Sequence, residues 1–292
     1  MQTFLMWRCG DDADPGEAEV RRVVDWLERY CRGLFAESPQ ATTLRQAGYA
    51  IVYIELPVKG WIPKYHQQDE TTWAFSLDYP VDADVVLERS GEAMADRSSC
   101  LPQLGRALNT DAASILEELS PPFTLIWGGK DGREIFVQND GLGFSQILEY
   151  SAGARWALTN RPYALKALGI KLVPSQVEWA TRAVLGWFPK EQTGFRGLSY
   201  LWPGTTLRLD ESGVERTRHD VIRRWLAREE MAIDDCLEMA ATSVRRFLES
   251  ASRHWSKATA GLTGGMPSWR RFSPPAYPSR GCGRTTPRAV RK

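Results

Sequence analysis

The chain has 292 residues, of which 43% are hydrophobic and 25% charged, so a sizeable core is available and one large or two modest domains fit the length. The net charge of +1 conceals an asymmetry: Pro267 to Lys292 holds seven basic residues and no acid, which leaves 30 basic against 36 acidic residues upstream. A mildly acidic body argues against nucleic acid as its partner, and no apolar run approaches the ~20 residues that cross a bilayer, so a soluble cytoplasmic protein without a membrane or nucleic-acid partner is expected.

Met1 to Trp7 is apolar but too short for a signal segment, and Asp11, Asp12 and Asp14 follow where a cleavage site would stand. The spacing of Val20, Val23, Val24, Leu27, Tyr30, Cys31 and Leu34 predicts a helix over Glu17 to Phe35, started by Asp14-Pro15-Gly16. Strands are predicted over Tyr49 to Leu56 and Thr71 to Val81, where β-branched and aromatic residues are bounded by Pro57, Gly60 and Pro63. Pro121 to Asn160 is the best-patterned β region. Phe123 to Trp127 and Glu134 to Val137 flank an Asp-Gly turn, a hairpin signal, and Ser145 to Tyr150 and Arg155 to Thr159 extend the series into a predicted antiparallel meander. Several of these runs are apolar on both faces, which predicts a sheet covered on both sides.

Ser175 to Trp187 is the second predicted helix, with Ser175 and Glu178 spaced as a capping box. Trp202-Pro203-Gly204-Thr205 is a turn before a strand over Thr206 to Leu209, and Val214 to Arg218 returns as its partner after Asp210-Glu211-Ser212-Gly213. From Asp234 a long helix is predicted, in which Leu237, Ala241, Val244, Leu248, Ala251 and Trp255 recur at alternating spacings of four and three. Lys257 to Leu262 is a short predicted strand that runs into Gly261-Leu262-Thr263-Gly264-Gly265-Met266. Pro267 to Lys292 is rich in Pro, Arg, Ser and Gly and lacks either periodicity, as a disordered tail or an out-of-frame reading would. DNA beyond Met266, read in the shifted frames, tests the second possibility.

Isolated chemistry is sparse. Cys9, Cys31, Cys100, Cys236 and Cys282 lack metal or redox spacing, and reduced thiols are expected. His66, His219 and His254 stand apart from any cysteine or serine at a recognisable spacing and read as structural or surface residues. Trp61, Trp73, Trp127, Trp156, Trp179, Trp187 and Trp202 read as core and edge filling. Asp140 reads as a turn residue that accepts local N–H bonds, and Arg245, Arg246 and Glu249 as a solvated helix face.

The order of these elements resembles the asparagine synthetase family. Phe123 to Trp127 with Ile135 to Asp140, Leu142 and Gly143 look like the segment that closes that family's N-terminal amidotransferase-like domain. Leu201-Trp202-Pro203-Gly204-Thr205-Thr206-Leu207 looks like its Pro-Gly turn, and the helix 234–255 with Gly261 to Met266 is similar to the helix, strand and glycine loop that open its synthetase domain. The resemblance runs from about Phe123 to Met266 and carries little upstream of Ser120.

The fold it implies is α+β: an αββα sandwich of the class II amidotransferase, Ntn-hydrolase-like type over residues 1–225, then the first helix and strand of an α/β ATP-pyrophosphatase domain over 226–266, then the basic tail 267–292. The activity it implies is ATP- and magnesium-dependent adenylation of a small-molecule or peptide carboxylate, followed by amide formation. Gly261, Thr263, Gly264, Gly265 and Ser268 would be the pyrophosphate contacts, because small residues let backbone N–H groups crowd a phosphate chain.

Two departures shape the expectation. The family's glutaminase nucleophile is a cysteine directly after the initiator methionine, whereas this chain has Gln2; lack of that cysteine is shared by branches of the family that use another amine, such as β-lactam synthetases and lasso-peptide cyclases. The loop position that handles magnesium is Pro267. The expectation is therefore a truncated, inactive relative of asparagine synthase with no catalytic residue and no metal ligand of its own, or one that needs a partner subunit to supply the rest of the synthetase domain. The alternative is a non-catalytic binding or scaffold domain whose basic tail docks an acidic partner.

Overall fold

The computed structural model describes residues 2–8, 16–34, 39–55, 60–89, 100–226 and 232–254. The strand over 257–262, the glycine loop 261–266, Ser268 and the tail 267–292 lie outside the described residues, as do Cys9, Cys282 and Trp255.

Among the described residues, twelve strands form two antiparallel six-stranded sheets. The first has the order β10 (Leu198–Tyr200), β8 (Leu148–Ala152), β9 (Arg155–Thr159), β1 (Thr3–Arg8), β3 (Tyr49–Glu55), β2 (Gln40–Gln46). The second has the order β12 (Gly213–Arg218), β11 (Thr205–Asp210), β7 (Ile135–Asn139), β6 (Thr124–Gly129), β5 (Thr72–Ser76), β4 (His66–Gln68). Phe4, Met6, Tyr49, Ile51 and Tyr53 of the first sheet share one buried cluster with Trp73, Phe75, Ile126, Val137 and Leu207 of the second, so the two sheets pack face to face.

Each outer face is covered by helices. Against the first sheet lies α1 (Glu17–Leu34), started on Gly16, whose carbonyl accepts from Glu19 N and Val20 N. Its stripe of Val20, Val23, Leu27 and Cys31 is buried with Leu5, Trp7, Ala50 and Val52. Full burial of a side chain such as Leu27 contributes about 1.5–3 kcal/mol. A 3-10 turn over Pro162–Leu168 completes that layer. Against the second sheet lie α2 (Ala83–Arg89), α3 (Cys100–Glu118) and α5 (Val221–Leu226). Two further helices, α4 (Gln176–Leu185) and α6 (Ile233–Arg253), carry exposed apolar residues. The α+β sandwich of four layers expected from the sequence is thus observed in the described residues.

The helices over 17–34 and 233–253 and the hairpins β6–β7 and β11–β12 stand where the sequence puts them. Other expectations need correction. The strand predicted over Thr71 to Val81 stops at Ser76, where Leu77 N turns to Thr124 O and the Ser76 hydroxyl donates to Asp78 O. The strand predicted over Ser145 to Tyr150 begins only at Leu148.

The meander over 121–160 is instead two hairpins in two different sheets, since β7 pairs with β11 and β6 while β8 pairs with β9 and β10. The chain crosses between the layers over 140–147. The capping box is half formed: Ser175 Oγ accepts from Glu178 N, but the Glu178 carboxylate accepts from Gly194 N rather than from Ser175. Of the tryptophans, Trp73 and Trp127 are core, whereas Trp179, Trp187 and Trp202 are exposed. β1, β2, α2 and α3 have no counterpart among the elements predicted from the sequence.

The turn that joins β4 to β5 is pinned to α3 through Asp69. Its carboxylate accepts from Thr71 N at 2.9 Å and Thr72 N at 2.8 Å, and its other oxygen lies 2.6 Å from Arg106 Nη1. Burial on its own would raise the Asp69 pKa, but the Arg106 hydrogen bond and the two backbone donors outweigh it and hold the carboxyl down at about 2. A folded pKa below the ordinary 3.8 means that the carboxylate contributes stability above roughly pH 4 and loses it as pH falls towards 2. Unfolding curves across that window should therefore be flatter with pH for Asp69→Asn than for the parent; equal slopes would remove Asp69 as their source.

Candidate functional site

Strand β1 alternates between two cores. Phe4 and Met6 face the second sheet, and Leu5 and Trp7 face α1. Gln2 has the parity of Phe4, so its side chain belongs to the mouth between the sheets, where it is buried to 2% exposure. Asn160, directly after β9, fixes this end of the strand: its Nδ2 donates to Gln2 O at 2.8 Å and its Oδ1 accepts from Phe4 N at 3.2 Å. The Thr159 hydroxyl donates to Phe4 O at 2.6 Å. Side chains thus continue the β1–β9 ladder past its last backbone pair.

Tyr65 stands across the mouth with its side chain hydrogen-bonded to Gln2. Burial, then the charges of Asp78 and Glu55, push its phenol up to about 12, so it stays a neutral O–H at physiological pH. Tyr53 lies deeper, stacked on Phe75 at 4.8 Å with its hydroxyl donating to Ser76 O at 2.7 Å, and burial raises its pKa strongly. A chain of hydroxyls runs beside them: Thr124 Oγ1 donates to Ser145 Oγ at 2.7 Å, and Ser145 Oγ donates to Asp78 Oδ2 at 2.7 Å. Asp140, fully buried, holds the loop that presents Ser145, accepting from Leu142 N, Phe144 N and Ser145 N at 2.7–3.1 Å. The local N–H acceptor expected at this aspartate is what the structure contains.

Tyr65 and Asp78 also line a cavity of about 230 Å3 with Trp61, Tyr79, Ser120 and Phe247. An aromatic group surrounds it: Trp61 lies 5.8 Å from Tyr79 and 5.5 Å from the His254 ring, and Tyr79 lies 5.3 Å from His254. His254, at the C-terminus of α6, bonds Val81 O through Nε2 at 2.8 Å, a satisfied structural role as expected. A larger cavity of about 780 Å3 on the other side of Tyr79 is lined by Glu55, Lys64, His66, Asp84 and Arg253.

What this arrangement offers chemically is hydrogen bonding, from the Tyr65 hydroxyl and the Asp78 carboxylate. Among the described residues the mouth's serine hydroxyl, on Ser145, donates to the Asp78 carboxylate, and no cysteine lines the cavity of about 230 Å3. Ser145 Oγ is committed to Thr124 and Asp78. Cys31 lies on the opposite face of β1, hydrogen-bonded to Thr3, with its thiol pKa raised by burial. Burial pushes the Cys100 thiol up to about 12, beside Tyr79, which leaves it a poor nucleophile. No group of three or more potential metal ligands occurs among the described residues, and no helix there is long and apolar enough to cross a membrane. The predicted pyrophosphate contacts Gly261, Thr263, Gly264, Gly265 and Ser268 lie outside those residues, so none is placed near the mouth. Tyr65, Asp78, Ser145 and Asn160 are absent from the sequence-based candidates.

No family model matches the chain, and no curated protein does. Solved structures similar to it include a glutamine phosphoribosylpyrophosphate amidotransferase from Bacillus subtilis complexed with ADP and GMP, at 11% identity over 75% of this chain and 49% of that one, with a TM-score of 0.42. An allosteric regulatory enzyme of purine biosynthesis is similar at 12% identity, 75% and 49% coverage and a TM-score of 0.43. A class II glutamine aminotransferase domain protein from Silicibacter pomeroyi is similar at 12% identity, 74% of this chain and 98% of that one, with a TM-score of 0.33. The chain thus spans about half the length of the first two proteins it matches.

Proposed function

We propose that the sandwich is an amidotransferase-type domain of the asparagine synthetase lineage that does not hydrolyse glutamine. The observation that carries this reading is the glutamine at the head of β1. A nucleophile there would face the inter-sheet mouth beside Tyr65 and Asp78, but the Gln2 side chain is a carboxamide, which neither attacks a carbonyl nor takes up a proton near neutral pH. The amide-forming half of the reading rests on the sequence resemblance. ATP and magnesium are the cofactors it implies, with Gly261, Thr263, Gly264, Gly265 and Ser268 as weak pyrophosphate contacts and Pro267 in place of the acid that would help to hold the metal. The expected substrate class is a small-molecule or peptide carboxylate joined to an amine other than glutamine-derived ammonia, with a partner subunit completing the synthetase site.

Two assays on the purified chain test this. Incubation with glutamine should release no glutamate above the blank, and release that depends on the protein would overturn the loss of glutaminase activity. ATP–pyrophosphate exchange with added carboxylates should be silent for the chain alone; exchange would mean that the synthetase half is present and competent. The second reading, a non-catalytic binding or scaffold domain, is favoured by the exposed Val177, Val184 and Trp187 on and after α4. A stably folded chain that stays silent in exchange even with candidate partner subunits added supports that reading instead.

A further inference from the structure

Helix α6 is held to the body by its C-terminal end. His254 O accepts from Ile62 N at 2.8 Å, Arg253 lies 3.6 Å from Asp84, Ser250 is buried and Phe247 lines the smaller cavity. Upstream of that end the helix is solvated. Leu237 is 63% exposed, Val244 59% and Leu248 49%. These three with Ala241 follow one another at spacings of four, three and four, which is the seam of a left-handed coiled coil. At about 100° per residue the seam sits roughly a quarter-turn from Phe247 and His254, so docking of the helix end leaves it open.

Charge along the helix is lopsided. Asp234, Asp235 and Glu238 occupy the N-terminal half, and Arg245, Arg246 and Arg253 the C-terminal half, with Glu249 the exception. A parallel partner would set like charge beside like. An antiparallel copy of the same helix reverses this and also opposes the helix dipoles.

We propose that α6 is a self-association face, paired antiparallel with α6 of a second copy of this chain about a two-fold axis near Ala241–Val244. In that register Leu237 packs on the partner's Leu248, Ala241 on the partner's Val244, and Glu238 lies beside the partner's Arg245. Each contact is repeated by the two-fold, as an isologous interface requires. Ala241 lets the backbones approach at the centre. The helix is only ~30 Å long, so the interface is small and association is reversible in the micromolar range.

Sedimentation equilibrium of the full chain tests the pairing. The parent should show a monomer–dimer equilibrium. Glu238→Arg and Arg245→Glu, both at exposed sites, should each weaken it by roughly tenfold. An equimolar mixture of the two variants should recover the parental affinity, because opposite charges then face each other at both ends of the seam, with the sign of one pair exchanged between the two chains. A parent that is monomeric throughout the micromolar range overturns the proposal and leaves the seam to another occupant. A dimer indifferent to the single substitutions, as one built on α4 would be, overturns it too.

Discussion

Replacing Gly204 with alanine should cost about 2–5 kcal/mol of folding stability, read as a fall of roughly 1 M in the urea midpoint at unchanged slope. Two effects add. Gly204 has φ +66°, which costs an L-residue about 1–2 kcal/mol. A Cβ there would also stand 2.3 Å from His219 O, a backbone atom that cannot swing away as a side-chain tip can. Overpacking of that kind adds about 1–3 kcal/mol. The carbonyl is held, because His219 N donates to Gly204 O at 2.8 Å and Val221 N donates to His219 O at 3.0 Å. Its retreat would therefore loosen the end of the β11–β12 hairpin and the seating of Val221, a buried residue of the α2–α3 core. Gly153 supplies the control, with φ +59° and open space around it. Gly153→Ala should cost only the backbone part. Equal losses at the two sites would mean that the contact with His219 O relaxes freely.

That turn is among the legible parts of the sequence, and the contrast with the illegible ones has a physical pattern. Elements with one apolar stripe are readable from periodicity whether or not the stripe is covered, as α1, whose stripe is buried, and α6, whose stripe is exposed, show. β1 is not, because Phe4, Leu5, Met6 and Trp7 are all buried and no alternation survives. α3 hides behind Pro102 and Gly105, which read as breakers. The proline sits in the first turn, where its missing N–H costs nothing, and at Gly105 a Cβ would meet the Trp127 ring at 2.6 Å. The helix is also kinked at Asp111, whose φ is −150°.

Hairpins β6–β7 and β8–β9 are each announced by local turn chemistry. Their division between two sheets depends on tertiary pairing, to which no local signal points. The mouth shares that difficulty. Gln2, Tyr65, Asp78, Ser145 and Asn160 come from segments far apart in the chain, and only the stacking of β1 and β9 over β5 and β6 assembles them. Gln2 stands out in the sequence through a resemblance alone; its burial and its contact with Tyr65 leave no mark there.

Asp140 carries the second large expectation. It sits where the chain leaves β7 and crosses to the other sheet, fully buried, with one carboxylate oxygen shared by Leu142 N at 2.9 Å and Phe144 N at 3.1 Å and the other taken by Ser145 N at 2.7 Å. Its own carbonyl accepts from Gly204 N at 2.9 Å, which ties the crossover to the Pro-Gly turn. Asp140→Ala strands three donors, of which Ser145 N is buried, and hydrogen bonds to a charged acceptor are worth about 1.5–3 kcal/mol each where desolvated. A total loss of about 3–5 kcal/mol is expected, because the more exposed Leu142 and Phe144 amides can turn to water. Asp140→Asn keeps one acceptor oxygen but turns an NH2 group towards an N–H donor, so it should fall between alanine and the parent. The effect should also reach the mouth. Ser145 links Thr124 to Asp78, and loss of its backbone anchor should raise the exchange rate of the Ser145 amide more than that of Val137 in the middle of β7. If Ser145 remains as protected as Val137 in Asp140→Ala, this carboxylate does not hold the loop, and the hydroxyl chain beside Tyr65 is ordered by the packing of the two sheets alone.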